Sequence, residues 1–467
     1  MTSAPTSSDP ALSEAQLAQC LATLEALHQT HPSALASLPH VPTILAAGYS
    51  LARRAGSALR DPRWKRPRRD DEPPIEPGPR ADVDRETPPK RRPFRDPEAT
   101  SMITSLDERE RASDERTLRC YLCDREYRGD PDEPRRECPE CLTLVASKRA
   151  RSADLRGRVA LVTGVRVRIG YATALSLLRH GARVHGTTRF CASALERFSR
   201  EPDFAQWSER LSLHALDLCD LRATERFAQS ISSQNTIDVL INNAARTVDH
   251  TPQWLDAMKA IDASARAQLP PSVRDRLAET PATHATIHAL PPGELDDEGQ
   301  PADTRERTAW RAKIGAIPLQ ELLAVTAVNA LAPFVLVDRL RANMCAGDGR
   351  ARFIVNVTSP EGRFYRRFKG PWHPHTNMAK AALDMLTRTC AEDLANESVF
   401  MCSVDPGWVS DLHTSVAREA IGRAERWEPP VSMRDAALRI LDPIFAALDG
   451  DEPAWGVVLR NFAPCPW

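Results

Sequence analysis

Residues 159–184 read VALVTGVRVRIGYATALSLLRHGARV. The run Val159 to Val162 has the apolar, β-branched character of a buried strand. At Gly164 comes a short glycine turn, and from Gly170 the apolar residues recur at helical spacing. A strand that delivers one glycine into a turn, with a second at the start of a helix, builds a cradle for a pyrophosphate. Backbone N–H groups and the positive end of the helix dipole bind the anion there.

The pattern continues outward from this unit. RVALVTG, ARVHGTT, LSLHALD, IDVLINNAA, RFIVNVTS, VFMCSVDPG and AWGVVLRN are strand candidates, separated mostly by helical stretches. This alternation predicts an α/β fold, a Rossmann-like doubly wound parallel sheet over 151–467 with helices on both faces. Ligands of such sheets bind at the carboxyl ends of the strands. Roughly seventy residues, 246–317, separate NNAA from the helix holding VTAVNALAPFVL, against about 2 to 6 in an ordinary connection. They form an insertion, helical around Trp254 to Ala267, which is either a lid over the substrate or a peripheral loop.

The N-terminal third differs in kind. Residues 1–59 predict a helical segment, with Leu17, Leu21, Leu24 and Leu27 at helical spacing and Ser13 and Gln16 forming a capping box. Residues 60–116 are rich in proline and in charges of both signs and read as a disordered linker. Its basic clusters resemble nuclear-localisation or polyanion-binding patches, but acidic residues interrupt each one. The net charge of -1 makes no electrostatic case for nucleic acid or an anionic membrane. No run of about 20 apolar residues is evident, and the first residues lack the layout of a signal peptide. The expected location is cytoplasmic, with a nuclear one as the alternative.

Residues 117–150 hold Cys120 and Cys123, then Cys138 and Cys141, the pairs being fourteen residues apart. A two-residue gap lets both thiolates of one turn face a single metal, and a spacer of this size brings two such turns together in a tetrahedral site. Zinc is the expected ion, with iron or a redox dithiol as alternatives. With all four positions filled by protein the site is structural, and the metal holds a segment too small for an apolar core. The module could serve as a contact surface for a protein partner.

Taken together, the motifs of 157–460 resemble those of the short-chain dehydrogenase/reductase family. Thr163, Gly164 and Gly170 match its TGxxxGxG turn, with Arg168 at the place of the middle glycine. The resemblance puts Arg166, Ile169, Asn243 and Ala244 along the cofactor, Asp217 at the adenine ring, and Pro406 and Gly407 beside the nicotinamide. It also implies that Asn329 helps hold a proton-relay water, that Ser359 orients the substrate carbonyl, and that Lys380 binds the nicotinamide ribose. At the end of the second strand a carboxylate would select NAD. Arg189 stands there instead, and an arginine can pair with the 2′-phosphate of NADP. NADP is the expected cofactor, NAD the alternative.

One departure concerns the chemistry. The family places a tyrosine four residues before the lysine, as proton donor. Here that residue is Thr376, whose aliphatic hydroxyl is far less acidic than a phenol. His375 is adjacent to the position and titrates near neutral pH, and His373 flanks Pro374. Tyr365 and Lys369 repeat the expected spacing, but they precede the helix AKAALDMLTRT, whose apolar face is Ala379, Ala382, Leu383 and Leu386. Two readings follow. One is an oxidoreductase acting on a small carbonyl or alcohol substrate with His375, Tyr365 or a water as proton donor. The other is an inactive nucleotide-binding scaffold or sensor. Homo-oligomers through the helices of Asn329 and Lys380 are expected from the resemblance.

Overall fold

A computed structural model describes residues 116–129, 137–247, 250–274, 277, 295, 299–301, 308–345, 348–364, 369–409 and 429–467. The expected N-terminal helices, the linker short of Arg116, much of the insertion and Tyr365 lie outside these residues.

Seven parallel strands form the centre: β3 Val159–Thr163, β4 Arg183–Thr188, β5 Leu211–Ala215, β6 Val239–Asn242, β7 Arg352–Val357, β8 Val399–Asp405 and β9 Val458–Arg460. A further strand, β10 Ala463–Cys465, runs antiparallel to β9. It is three residues long and contains Pro464, so it carries no sequence signal of its own. The order β10-β9-β8-β7-β6-β3-β4-β5 reverses direction between β3 and β6. That switch point opens a crevice at the carboxyl ends of the strands.

Both faces of the sheet are covered, which is why its strands read as continuous apolar runs. The side chains still alternate. Ala160, Val162, Val239, Ile241, Val355 and Val404 enter one core, with Ala174, Leu177 and Leu178 of α2 (Arg168–Arg179), Leu195 of α3 (Cys191–Ser199) and Ile440 and Ile444 of α9 (Met433–Leu448). Leu161, Leu240, Ile354 and Met401 enter the other. There they meet Ala228 and Ile231 of α4 (Leu221–Gln234), Leu336 and Leu340 of α7 (Ala332–Met344) and Leu394 of α8 (Pro374–Ala395). Burial of each large aliphatic chain contributes about 1.5–3 kcal/mol, so the central sheet is the stable platform of the site.

Two expectations need correction. The helical run Leu319–Met344, comprising α6 (Leu319–Thr326), a π-helical turn and α7, is long and apolar enough to cross a bilayer. The scattered Glu321 and Asn329 hide it from a search for unbroken apolar residues. It packs as a core helix, with Leu336, Leu340 and Met344 fully buried. In α8 the buried face is His375, Thr376, Ala379, Lys380, Leu383, Asp384 and Thr387, whereas Ala382 is exposed. Polar groups take the place of apolar ones because this helix lines the crevice.

The described part of the insertion is built around α5 (Pro252–Gln268), close to the expected helix. Thr251 caps it by accepting from the Trp254 N–H at 3.1 Å. Before the Rossmann sheet, β1 (Arg116–Arg119) and β2 (Glu126–Gly129) form an antiparallel hairpin, followed by α1 (Pro139–Ala150).

Candidate active site

The turn after β3 has the backbone that a pyrophosphate cradle needs. Gly164 has φ +74°, and a Cβ on Gly170 would stand 2.1 Å from the Gly164 carbonyl oxygen. Only glycine fits at Gly170 without moving backbone. Arg168 has φ +55°, the left-handed conformation in which glycine is at home. The arginine therefore keeps the turn at a cost of about 1–2 kcal/mol instead of abolishing it. Thr163 accepts from the Ala244 N–H at 2.9 Å, and the Asn243 amide donates to the Thr163 carbonyl at 2.9 Å. Beneath them a polar chain crosses the sheet. Asn242 donates to Asn356, Asn356 to Thr387, and the Thr387 and Ser403 hydroxyls are hydrogen-bonded to each other, each at 2.8 Å. Buried amides joined in this way pin strand register as well as strand spacing.

Three arginines converge on one side of the crevice, one from the end of each of β3, β4 and β6. Arg166 is buried, donates to Gln300 of the insertion at 2.7 Å and lies over the Phe190 ring. Arg189 lies over the same ring. Burial depresses its pKa, while the Asp217 carboxylate opposes the shift. Arg246 donates to the Cys219 sulfur at 3.1 Å. Asp217 is exposed and accepts from the Cys219 N–H at 3.0 Å. The insertion closes on this side through Trp254, whose indole donates to Pro301 at 3.0 Å and meets Phe190 edge-on.

Ser359 stands at the end of β7, where a short 3₁₀ turn, Pro360–Gly362, lies against α8. A Cβ on Gly362 would be 2.9 Å from the Lys380 carbonyl oxygen. Lys380 is buried and donates to the Val357 carbonyl at 2.7 Å. Burial pulls its pKa down to about 8, against the pull of Asp384. Asp384 accepts from Thr358 at 2.9 Å and is pushed up to about 6, again by burial. The sequence reading missed Asp384, although a carboxylate four residues after a lysine shares its helix face. It also missed the buried pair of Arg363 and Asp405, 2.7 Å apart, which underlies the Pro406–Gly407 turn. Gly407 has φ +89° and donates to Asp405 at 3.0 Å.

Asn329 sits in the π-helical turn Ala327–Leu331 and makes two 2.7 Å hydrogen bonds to the Arg246 backbone, one donated and one accepted. A π-turn disrupts the regular carbonyl ladder and is common at functional sites. His375 and Thr376 are each only 2% exposed; the Thr376 hydroxyl has no hydrogen-bond partner among the described residues, and neither ring nitrogen of His375 makes a well-formed one, its polar contact being the Thr247 backbone. Burial lowers the His375 pKa, with a smaller opposing effect from Glu321. His373 has a different task. Its ring stacks on Trp310 at 4.0 Å and its Nδ1 lies 2.7 Å from the Trp310 carbonyl. It fastens the far end of the insertion to the start of α8.

The Sγ atoms of Cys120, Cys123, Cys138 and Cys141 lie within 4.8 Å of one another. The Cys138 N–H points to the Cys120 sulfur at 3.3 Å, a bond that favours a thiolate there. Such a donor set fits a tetrahedral ion of the zinc type.

A model of the short chain dehydrogenase family matches residues 158–268. An uncharacterized protein of Acanthamoeba polyphaga mimivirus is 30% identical over 343 residues, covering 70% of this chain and 71% of that one. A WW domain-containing oxidoreductase of Drosophila melanogaster is 35% identical over 162 residues, which is 30% of this chain and 39% of the fly protein. A crystal structure of a short chain dehydrogenase from Burkholderia cenocepacia, in complex with NADP, is 19% identical, covers 66% of this chain and 97% of that one, and has a TM-score of 0.42. With the glycine turn, the NNAA network and the Ser359–Lys380 face in family order on a sheet of this topology, the chain belongs to the short-chain dehydrogenase/reductase family.

Proposed function

We propose that this family member is an NADP-dependent oxidoreductase that interconverts a small carbonyl compound and its alcohol with a histidine as proton donor. The observation that carries the reading is the buried His375 imidazole, adjacent to Thr376 and without a well-formed hydrogen bond at either ring nitrogen. A buried polar group that is poorly satisfied costs up to about 1–3 kcal/mol, and a substrate oxygen would relieve that cost. The arginines at 166, 168 and 189 supply positive charge for the phosphates, and Arg189 in place of an acid favours the 2′-phosphate.

The dinucleotide, when bound, supplies or accepts the hydride. Ser359 orients the carbonyl by donating a hydrogen bond to its oxygen. Lys380 holds the ribose, and its charge favours the anionic cofactor. In reduction, protonated His375 gives its proton to the oxygen that gains charge and is left neutral. Because burial lowers its pKa, the reductive reaction gains speed as pH falls below neutral. Tyr365, outside the described residues, and a water remain as alternative donors.

Zinc at the four thiolates is structural in this reading. The exposed apolar side chains Leu323 and Phe334 on one helical run, with Met378 and Met385 on α8, suit a contact with a second copy of the chain. The second functional reading, a nucleotide-binding scaffold without turnover, is favoured by Thr376, which cannot act as the phenol would.

Fluorescence titration with NADPH and NADH, followed by turnover on a panel of carbonyl compounds, tests the proposal. NADPH binding with His375→Ala slowing reduction by about 10²-fold or more, and Thr376→Ala changing it little, is the expected result. Tight NADPH binding with no turnover would favour the scaffold. Binding of neither dinucleotide would remove both readings.

A further inference from the structure

We propose that the four-thiolate centre orders the turn beside the nicotinamide end of the crevice, with Tyr121 as the positioning residue that links the two. The role of that turn rests on the cofactor reading above. Tyr121 lies inside the first cysteine pair, between Cys120 and Cys123. Its hydroxyl accepts a hydrogen bond from the Trp408 backbone N–H at 2.8 Å. An ideal Cβ on Gly407 would approach that oxygen to 3.2 Å, so the ring and the turn are in close contact. The side chain is half-buried and serves as a fixed polar support for the turn.

The same cysteine knuckle makes a second attachment. The Leu122 carbonyl accepts from the Asn461 amide at 3.0 Å, between β9 and β10. On the other side of the turn, the Trp408 carbonyl accepts from the Val431 N–H at 3.2 Å. The knuckle thus joins the segment after β8 to the end of the sheet.

What keeps the knuckle in place is the weak point. β1 and β2 are four residues each, and a lone two-stranded hairpin is marginal in water. Within the turn, the Asp124 N–H donates to the Cys120 carbonyl at 2.9 Å. The firm attachment is through sulfur, toward Cys138, which caps α1. Further along α1, Lys148 pairs with Asp442 at 2.8 Å and Arg149 makes two hydrogen bonds to Asp435. A metal shared by the thiolates connects the anchored helix to the knuckle, and so to Trp408. Without the metal, Tyr121 has no rigid mount.

Amide hydrogen exchange on the full chain tests this, comparing protein as purified, protein stripped of zinc by a chelator, and Tyr121→Phe. Peptides covering 406–409 should exchange at least about fivefold faster in the stripped protein and in Tyr121→Phe, the scale of one lost hydrogen bond. Peptides from β7 should not change, and Tyr121→Phe should keep about one zinc per chain. Absence of stoichiometric zinc from the purified protein overturns the proposal. So does exchange at 406–409 that is unchanged by either treatment. A chain that binds no dinucleotide but shows the exchange effect keeps the metal clamp and loses the cofactor reading. One that binds NADPH equally in all three states, without the exchange effect, does the reverse.

Discussion

The two halves of the crevice each carry one departure from the family pattern, and the two have different consequences. In the turn after β3, Arg168 stands at the place of a glycine but adopts the backbone conformation of one, with φ +55°. On α8, Thr376 stands at the place of a tyrosine on an intact helix, at a buried position. In the first case the lost property was conformational freedom, which an unbranched residue such as arginine can approximate for about 1–2 kcal/mol. In the second it was a phenol near a lysine, whose acidity no aliphatic hydroxyl reproduces. A backbone role tolerates substitution where a proton-transfer role requires a new group, which the proposed function assigns to His375.

The sharpest way to break this contrast is at the other glycine of the turn. Gly170→Ala puts a methyl 2.1 Å from a backbone oxygen. We expect NADPH affinity to fall by more than about 100-fold, because the cradle itself must shift. Retained affinity, by fluorescence titration, would mean that the turn does not hold the phosphates. Next in size is Arg189→Ala, expected to weaken NADPH about tenfold or more while leaving NADH nearly unchanged. An equal loss for both cofactors would remove Arg189 from the 2′-phosphate.

A smaller effect concerns pH. Lys380 is charged below about 8 and loses its proton above it. NADPH affinity should therefore decline as pH rises through about 8. The Asp384 carboxylate raises the Lys380 pKa, so Asp384→Asn should move that midpoint to lower pH. A midpoint that stays in place in a pH series of titrations would show that the two do not communicate. The smallest effect is expected from Arg168→Gly. Relief of the left-handed strain should stabilise the fold by about 1 kcal/mol, less the added freedom of glycine in the unfolded chain. A loss of stability in chemical denaturation would show that the arginine side chain makes a compensating contact.

Much of the fold was legible because its signals are local. Apolar runs that end in Gly164, Asn242 or Gly407 announce parallel strands, and the helices between them carry their own periodicity. β10 was not legible, since three residues paired to one neighbour leave no pattern. Among site residues, the glycines, Ser359 and Lys380 stand out by type and order. Asp384 and the Arg363–Asp405 pair do not. Charged residues are common on surfaces, and only packing reveals that these are buried.

From the chain alone came the alternation of strands and helices, the glycine turn, the missing phenol and the paired cysteines. Each is a matter of residue type at fixed spacing, which covalent connection preserves. The tertiary structure alone decided that Arg168 is left-handed, that His375 is buried while His373 fastens the insertion, and that Tyr121 meets Trp408 from 287 residues away. Burial, backbone strain and contacts across that separation depend on where the chain returns in space, which local spacing does not encode.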